Sequence, residues 1–421
     1  TGKGGALGGT GILLLVAAMA AAQEADPPPT ADRLYGRVTT TGGDVVEGYL
    51  RWDRNEGSWV DLLDGYREIP EENLEEAERL GAASARKRRR SVDFMGVRVS
   101  WDEEPEWPDD AEAGLRFGHL RRLRVVGEDE AEVELKSGER ILLSGGSTDL
   151  GPELRGLEIE AAGGEPIELS WEELEAVEFL SPPPEGATPS ATRLHGTVTA
   201  RRGHRFTGYV SWDLDEILTS DILDGELDGE PVEIPFGDIV SIERLGTRGS
   251  RVVLLDGRTL DLRNSNDVDD GHRGVQLSDP GLGQVQIGWR EFATIRFHPP
   301  DVPVAYDGFD GGRRLRGTVV TEDGGQHRGR IRWDNDEEWS WQILDGRSDG
   351  IDYDVELGRV ARIRRLEPSG VEVTLRDGRI LELRGSNDVN RDNKGIFVVP
   401  DAGPTVVVEW ADLREVVFEG G

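Results

Sequence analysis

The chain has 421 residues, 36% of them hydrophobic and 31% charged, which is too long for one ordinary domain and too apolar for disorder throughout. Its formal net charge of -34 argues against a nucleic-acid partner, because phosphate binding gains affinity from counterions released by Lys and Arg. Cysteine is absent, so disulfides, zinc–thiolate sites and a Cys nucleophile are excluded.

At the amino end Lys3 precedes an apolar run from Ile12 to Ala22, and Ala20-Ala21-Ala22 before Gln23 fits a small-residue cleavage site. Residues 1–22 therefore read as a secretory signal peptide, and the protein is expected in the periplasm or outside the cell. The run is shorter than the roughly 20 apolar residues that span a bilayer, so no transmembrane helix is expected in the mature chain. Residues 23–32, with Pro27-Pro28-Pro29, read as a linker.

From Arg33 onward one frame is written three times. Arg-Leu-x-Gly at Arg33, Arg193 and Arg314 leads at constant spacing to Gly48, Gly208 and Gly329, then to Trp-Asp at Trp52, Trp212 and Trp333. Leu-Asp-Gly follows at Leu63, Leu223 and Leu344, and later come Trp171, Trp289 and Trp410. Internal repetition of this kind sets the architecture. The units are 33–180, 193–297 and 314–418, separated by linkers at 181–192 and 298–313.

Each unit also repeats within itself, giving six half-repeats. Val371–Leu375, a turn at Asp377-Gly378 and Ile380–Leu383 make a hairpin signal, and the stretch from Val252 to Leu262 repeats it. An aromatic residue followed by apolar residues at plus three and plus six, as after Phe236 and Trp289, predicts one helical turn leading into a strand. The order of strand, Gly turn and strand ending near Asp, clearest from Val373 to Asp388, resembles the small SH3-like and Sm-like barrels. The resemblance implies an all-β chain of tandem small barrels, three units of two half-repeats each. The RNA binding of the Sm branch does not carry over to so acidic a chain.

The first unit departs from the frame by an insert at about 66–116. It opens with a short acidic helix, Glu71 to Leu80, and continues into the basic run Arg86, Lys87, Arg88, Arg89, Arg90, followed by Trp101 and Trp107. An insert on one repeat is where a specific function is grafted, so these residues are candidates for contact with an envelope protein or an anionic or glycan polymer. A solvated loop that neutralises the neighbouring Glu residues is the plainer reading of the basic run.

Alternation puts Leu50, Val210 and Ile331 on the same strand face as Trp52, Trp212 and Trp333, which makes these Trp core anchors. Trp339 and Trp341 fall outside the shared frame and are the remaining candidates for a binding surface. Carboxylates gather after the repeated Trp, at Asp213, Asp215 and Glu216 and at Asp334, Asp336 and Glu337, with Asp53 and Glu56 in the first unit. A second group lies at Asp267 and Asp269 and at Asp388 and Asp392. Hard oxygen ligands on tight loops suit Ca2+, whereas Asp and Asn also build turns by bonding their own backbone.

No catalytic constellation emerges. A Gly-x-Ser-x-Gly at Gly346 to Gly350 precedes the strand-like Ile351 to Val355, where a nucleophile elbow requires a helix. The expectation is an exported, non-enzymatic binding or scaffolding protein. The alternative is a carbohydrate-binding or carbohydrate-active secreted protein using Trp339, Trp341, Asp336 and Glu337, stabilised by calcium.

Overall fold

The computed structural model describes residues 1–2, 30–80, 88–94, 97–103, 110–182 and 188–420, with the backbone alone for 88–94 and 97–103. Residues 3–22 of the expected signal peptide, Arg86, Lys87 and Trp107 thus lie outside the described residues. The chain is mostly β, with three large antiparallel sheets. One α-helix, Glu71–Leu80, occurs among the described residues, and no helix there is long and apolar enough to cross a membrane.

The middle unit gives the plan. His195–Ala200 pairs on one side with Arg205–Trp212 and on the other with Phe292–Phe297. Beyond the first lie Val275–Asp279 and Gly283–Ile287, and beyond the second Ile239–Arg244, Ser250–Leu254 and Thr259–Leu262. The same eight-strand order recurs in the other two units. Strands from the two halves are intermixed within this order, so the half-repeats are not separate barrels. The expected tandem closed barrels are replaced by open sheets, because each half uses strands of the other as its neighbours.

Glycine makes the close strand approach possible. A Cβ on Gly48 would stand 2.4 Å from the Glu160 carbonyl oxygen, and one on Gly329 only 2.3 Å from that of Val399. Both glycines sit where the repeat's second strand meets a strand from the other half, which explains why the frame keeps them. The expected helical turns appear as short 3-10 turns at Phe117–His119, Trp171–Glu173, Phe236–Asp238, Leu357–Arg359 and Trp410–Asp412, whereas at Trp289 the chain makes a single turn closed by Glu291 N donating to the Gly288 carbonyl at 2.9 Å.

A further hairpin per unit, carrying Leu-Asp-Gly, differs in its neighbours. Leu62–Glu68 and Asp110–Arg116 join their own unit's sheet, whereas Ile222–Leu227 and Glu230–Pro235 stand as a two-stranded sheet. Ile343–Ser348 and Ile351–Glu356 extend the sheet of the middle unit, with Val285 opposite Tyr353. The Gly-x-Ser-x-Gly lies on this hairpin and has no helix after it. The insert is therefore narrower than 66–116, since its outer segments are hairpin strands shared by all three units and only the tip between them is extra.

The units are joined by more than linkers. Apolar cores of the middle and last units merge into one. The core of the first unit takes in Tyr306 and Phe309 from the segment 298–313, so that expected linker is packed structure. Lys136 Nζ donates to the Tyr306 carbonyl and stands 3.3 Å from its ring centre. The helix Glu71–Leu80 carries Glu71 and Glu72 in its first turn and Arg79 in its last, which complements its dipole. It docks on the last unit, where Arg332 donates to Asn73 Oδ1 at 2.7 Å and pairs with Glu76 at 3.1 Å.

Candidate functional site

The repeated motifs converge on a set of carboxylates in each unit. After Trp52 the chain turns through Asp53 and Arg54, with φ of 43° and 67°, and returns so that Trp52 and Glu56 pair. Asp213 and Leu214 (48° and 71°) and Asp334 and Asn335 (47° and 72°) do the same. This left-handed turn is costly for most residues, and Asp or Asn at its first position tolerates it best.

The repeated Trp then fixes a second loop over this turn. Its indole Nε1 donates at 3.0 Å to the carbonyl of Asp149, Asp267 or Asp388 in the respective unit. Those aspartates in turn accept the backbone N–H of Asp64, Asp224 and Asp345, the Asp of Leu-Asp-Gly, at 2.7 to 2.8 Å. Trp, Trp-Asp and Leu-Asp-Gly thus hold one structure together. The first aspartate accepts from Arg155 N at 2.6 Å in the first unit, and from the backbone N of Arg273 and of Lys394 in the others.

Three carboxylates meet where these loops touch. Oxygens of Asp53, Glu56 and Asp149, and of Asp213, Glu216 and Asp267, lie within 4.8 Å of one another in each set. Burial, and then the charge of Asp149, pushes the Glu56 carboxyl well above its usual range. For Glu216 burial and then Asp215 push it to about 9. Asp149 is missing from the sequence expectation; the parallel of Ser147-Thr148-Asp149-Leu150 with Ser265-Asn266-Asp267-Val268 is the signal that marks it.

Other expected ligands are elsewhere. Asp215 is bound by the Arg273 side chain, at the rim of its unit's triad. Asp269 accepts from Gly271 N at 2.9 Å and is a turn former, and Asp392 is exposed. Both lie outside the tight groups.

In the last unit Asp336, Glu337 and Asp388 open onto a cleft of about 590 Å³ between the first and last units. Among the described residues, eight carboxylate residues and one lysine, Lys394, line it. Asp64 and Glu112 come from the first unit, Asp345 and Asp354 from the last. Burial, then the facing Asp345, raises Asp64 to about 6, and burial, then Glu112, raises Asp345 to about 6.

Among the described side chains, Trp339 and Trp341 do not form the expected aromatic surface. Trp52, Trp212 and Trp333 are fully buried anchors, and Trp341 is only 2% exposed, packed in the first unit's core. Trp339 is half-buried beneath the Arg314 guanidinium, 4.4 Å from its ring centre. Arg88, Arg89 and Arg90 lie on a strand, Arg88–Phe94, paired with Val97–Glu103. Its register sets Arg88, Arg89 and Arg90 opposite Glu103, Asp102 and Trp101.

Comparison with protein-family models, with curated proteins and with solved structures found no match.

Proposed function

We propose that this chain is an exported, non-enzymatic β-repeat protein of the cell envelope, acting as a binding scaffold whose working surface is the acidic cleft between its first and last units. The observation that carries this reading is the lining of that cleft: among the described residues, eight carboxylate residues against one lysine, contributed by both units. A recess walled by low-dielectric protein and lined by one sign of charge concentrates ligands of the other sign. Burial first, and then the facing carboxylates, raises Asp64 and Asp345, so a cation entering the cleft offsets both the burial of these charges and their repulsion. The partner is therefore cationic, such as a basic segment of an envelope protein. The strand-order likeness to SH3-like and Sm-like barrels belongs to the same proposal and concerns the origin of the half-repeats.

The carbohydrate reading loses its main support, since the Trp341 ring is buried and the Trp339 ring is already stacked by Arg314. An oligolysine peptide titrated against the purified protein tests the cleft. Binding is expected to weaken with salt and to fall when Glu112→Gln and Asp345→Asn are combined. Salt-sensitive binding that ignores both substitutions would place the peptide on the general acidic surface and end the cleft reading.

A further inference from the structure

Glu56, Glu216 and Glu337 occupy the same position in the three units, and in each the Oε2 oxygen is buried with no hydrogen-bond partner. Glu56 is 6% exposed and stands between Asp53 and Asp149, themselves 0% and 4% exposed. A buried carboxylate oxygen without a donor is expensive, and in the first two units that oxygen belongs to a set of three closely spaced carboxylates.

Charge and distance both point to a metal. Around Glu56 one cation is present among the described residues, Arg155, which pairs with Asp53 at 3.0 Å; with all three carboxylates ionised, as a bound metal would hold them, two negative charges have no partner there. Arg273 plays the same part beside Asp213 at 3.1 Å. In both sets the oxygens lie within 4.8 Å of one another, about twice the 2.3–2.6 Å bond that Ca2+ makes to oxygen.

We propose that the Asp53–Glu56–Asp149 and Asp213–Glu216–Asp267 triads are two divalent-cation sites of the calcium type, one in each of the first two units, with the unpartnered glutamate oxygen as a ligand. The last unit is the internal control. Its equivalents Asp334, Glu337 and Asp388 do not meet the same distance, and Lys394 Nζ stands 3.8 Å from Asp334. The sites are separate from the cleft ligand, and neither proposal depends on the other.

A cation here also braces an interface. Arg155 reaches Asp215 of the middle unit at 3.7 Å while paired to Asp53, so the two triads flank the junction of the first two units. Loading them couples metal binding to the assembly of the chain.

The full chain, stripped with a chelator, is titrated with Tb3+ while tryptophan is excited. Trp52 and Trp212 bond the loops that carry Asp149 and Asp267, so their indoles stand beside the triads and sensitise a bound lanthanide. Sensitised emission is expected to saturate at two ions per chain and to be displaced by Ca2+. It should halve in Glu56→Gln, vanish in the double variant with Glu216→Gln, and persist in Glu337→Gln. Affinity at a site that loses its glutamate charge is expected to drop about tenfold or more. Equilibrium dialysis of wild-type protein against Ca2+ gives the same stoichiometry without relying on any variant. Emission unchanged in the double variant, or dialysis without a saturable class of two ions, would overturn the proposal. So would a double variant more heat-stable than wild type in saturating Ca2+, since that outcome means a proton on each glutamate, mimicked by the Gln amide, is what neutralises the triads.

Discussion

At the residue scale, one side chain does two jobs in every unit. The repeated Trp fills the core and, through its indole N–H, holds the loop that brings the third carboxylate over the turn. Removing it takes away volume and leaves a buried carbonyl without its donor. Trp212→Ala is expected to cost about 3–5 kcal/mol, read as a lower urea midpoint at unchanged slope. Glycine acts by absence. A methyl group on Gly329 would press on the Val399 carbonyl at 2.3 Å, so Gly329→Ala should destabilise the chain even though alanine is otherwise welcome in a strand more than glycine is. A rise in melting temperature for that variant would contradict the reading of the frame glycines as strand-contact residues.

At the scale of elements, the Leu-Asp-Gly hairpins set the response to pH. Those of the first and last units bring Asp64 and Asp345 toward each other across the cleft, each raised to about 6 from 3.8. A raised carboxyl is held more easily as the neutral acid in the fold, so this pair favours folding at low pH and loses stability as pH climbs from about 4 through about 6. Glu356 works in the opposite sense. Burial opposes its charge, but Arg116 at 3.0 Å, with His119 and Arg359, outweighs burial and holds the carboxyl down to about 2. Its contribution is present above about 4.5 and is lost as pH falls toward 2. Thermal midpoints in metal-free buffer should therefore peak in mildly acidic solution, and Asp64→Asn should flatten the fall on the neutral side. A midpoint that rises steadily from acid to neutral pH would show that repulsion across the cleft is not felt by the fold.

At the scale of the whole molecule, buried ion pairs and a shared core bind the units into one body. Arg193 of the middle unit pairs with Asp61 of the first at 3.1 Å, with both side chains almost fully buried, and Ser278 donates to the same carboxylate at 3.0 Å. Asp61 also caps its own turn by accepting from Gly57 and Ser58, so a single side chain ties a local turn to a neighbouring unit. Asp61→Ala leaves Arg193 buried without its partner and is expected to cost about 3–5 kcal/mol. Calorimetry on the intact chain should give one cooperative transition, because the middle unit's sheet is completed by a hairpin from the last and the first unit's core by Tyr306 and Phe309. Three separate transitions would mean that these junctions are weaker than the units they join.

The linear sequence was sufficient for whatever repeats or alternates locally: three units, β-rich character, the short helix from Glu71 to Leu80, the buried Trp at the end of each second strand, and the acidic turns after it. Such features follow from side-chain period and turn chemistry over a few residues. Partnership between distant segments did not follow. That Asp149 joins Asp53 and Glu56, that strands of the two halves are intermixed in one open sheet, and that the last unit's hairpin completes the middle unit's sheet are results of tertiary packing. The physical reason is that a strand's pattern states which face it buries but not which edge it meets, so one half-repeat pattern fits a closed barrel or an open interleaved sheet until long-range packing chooses between them.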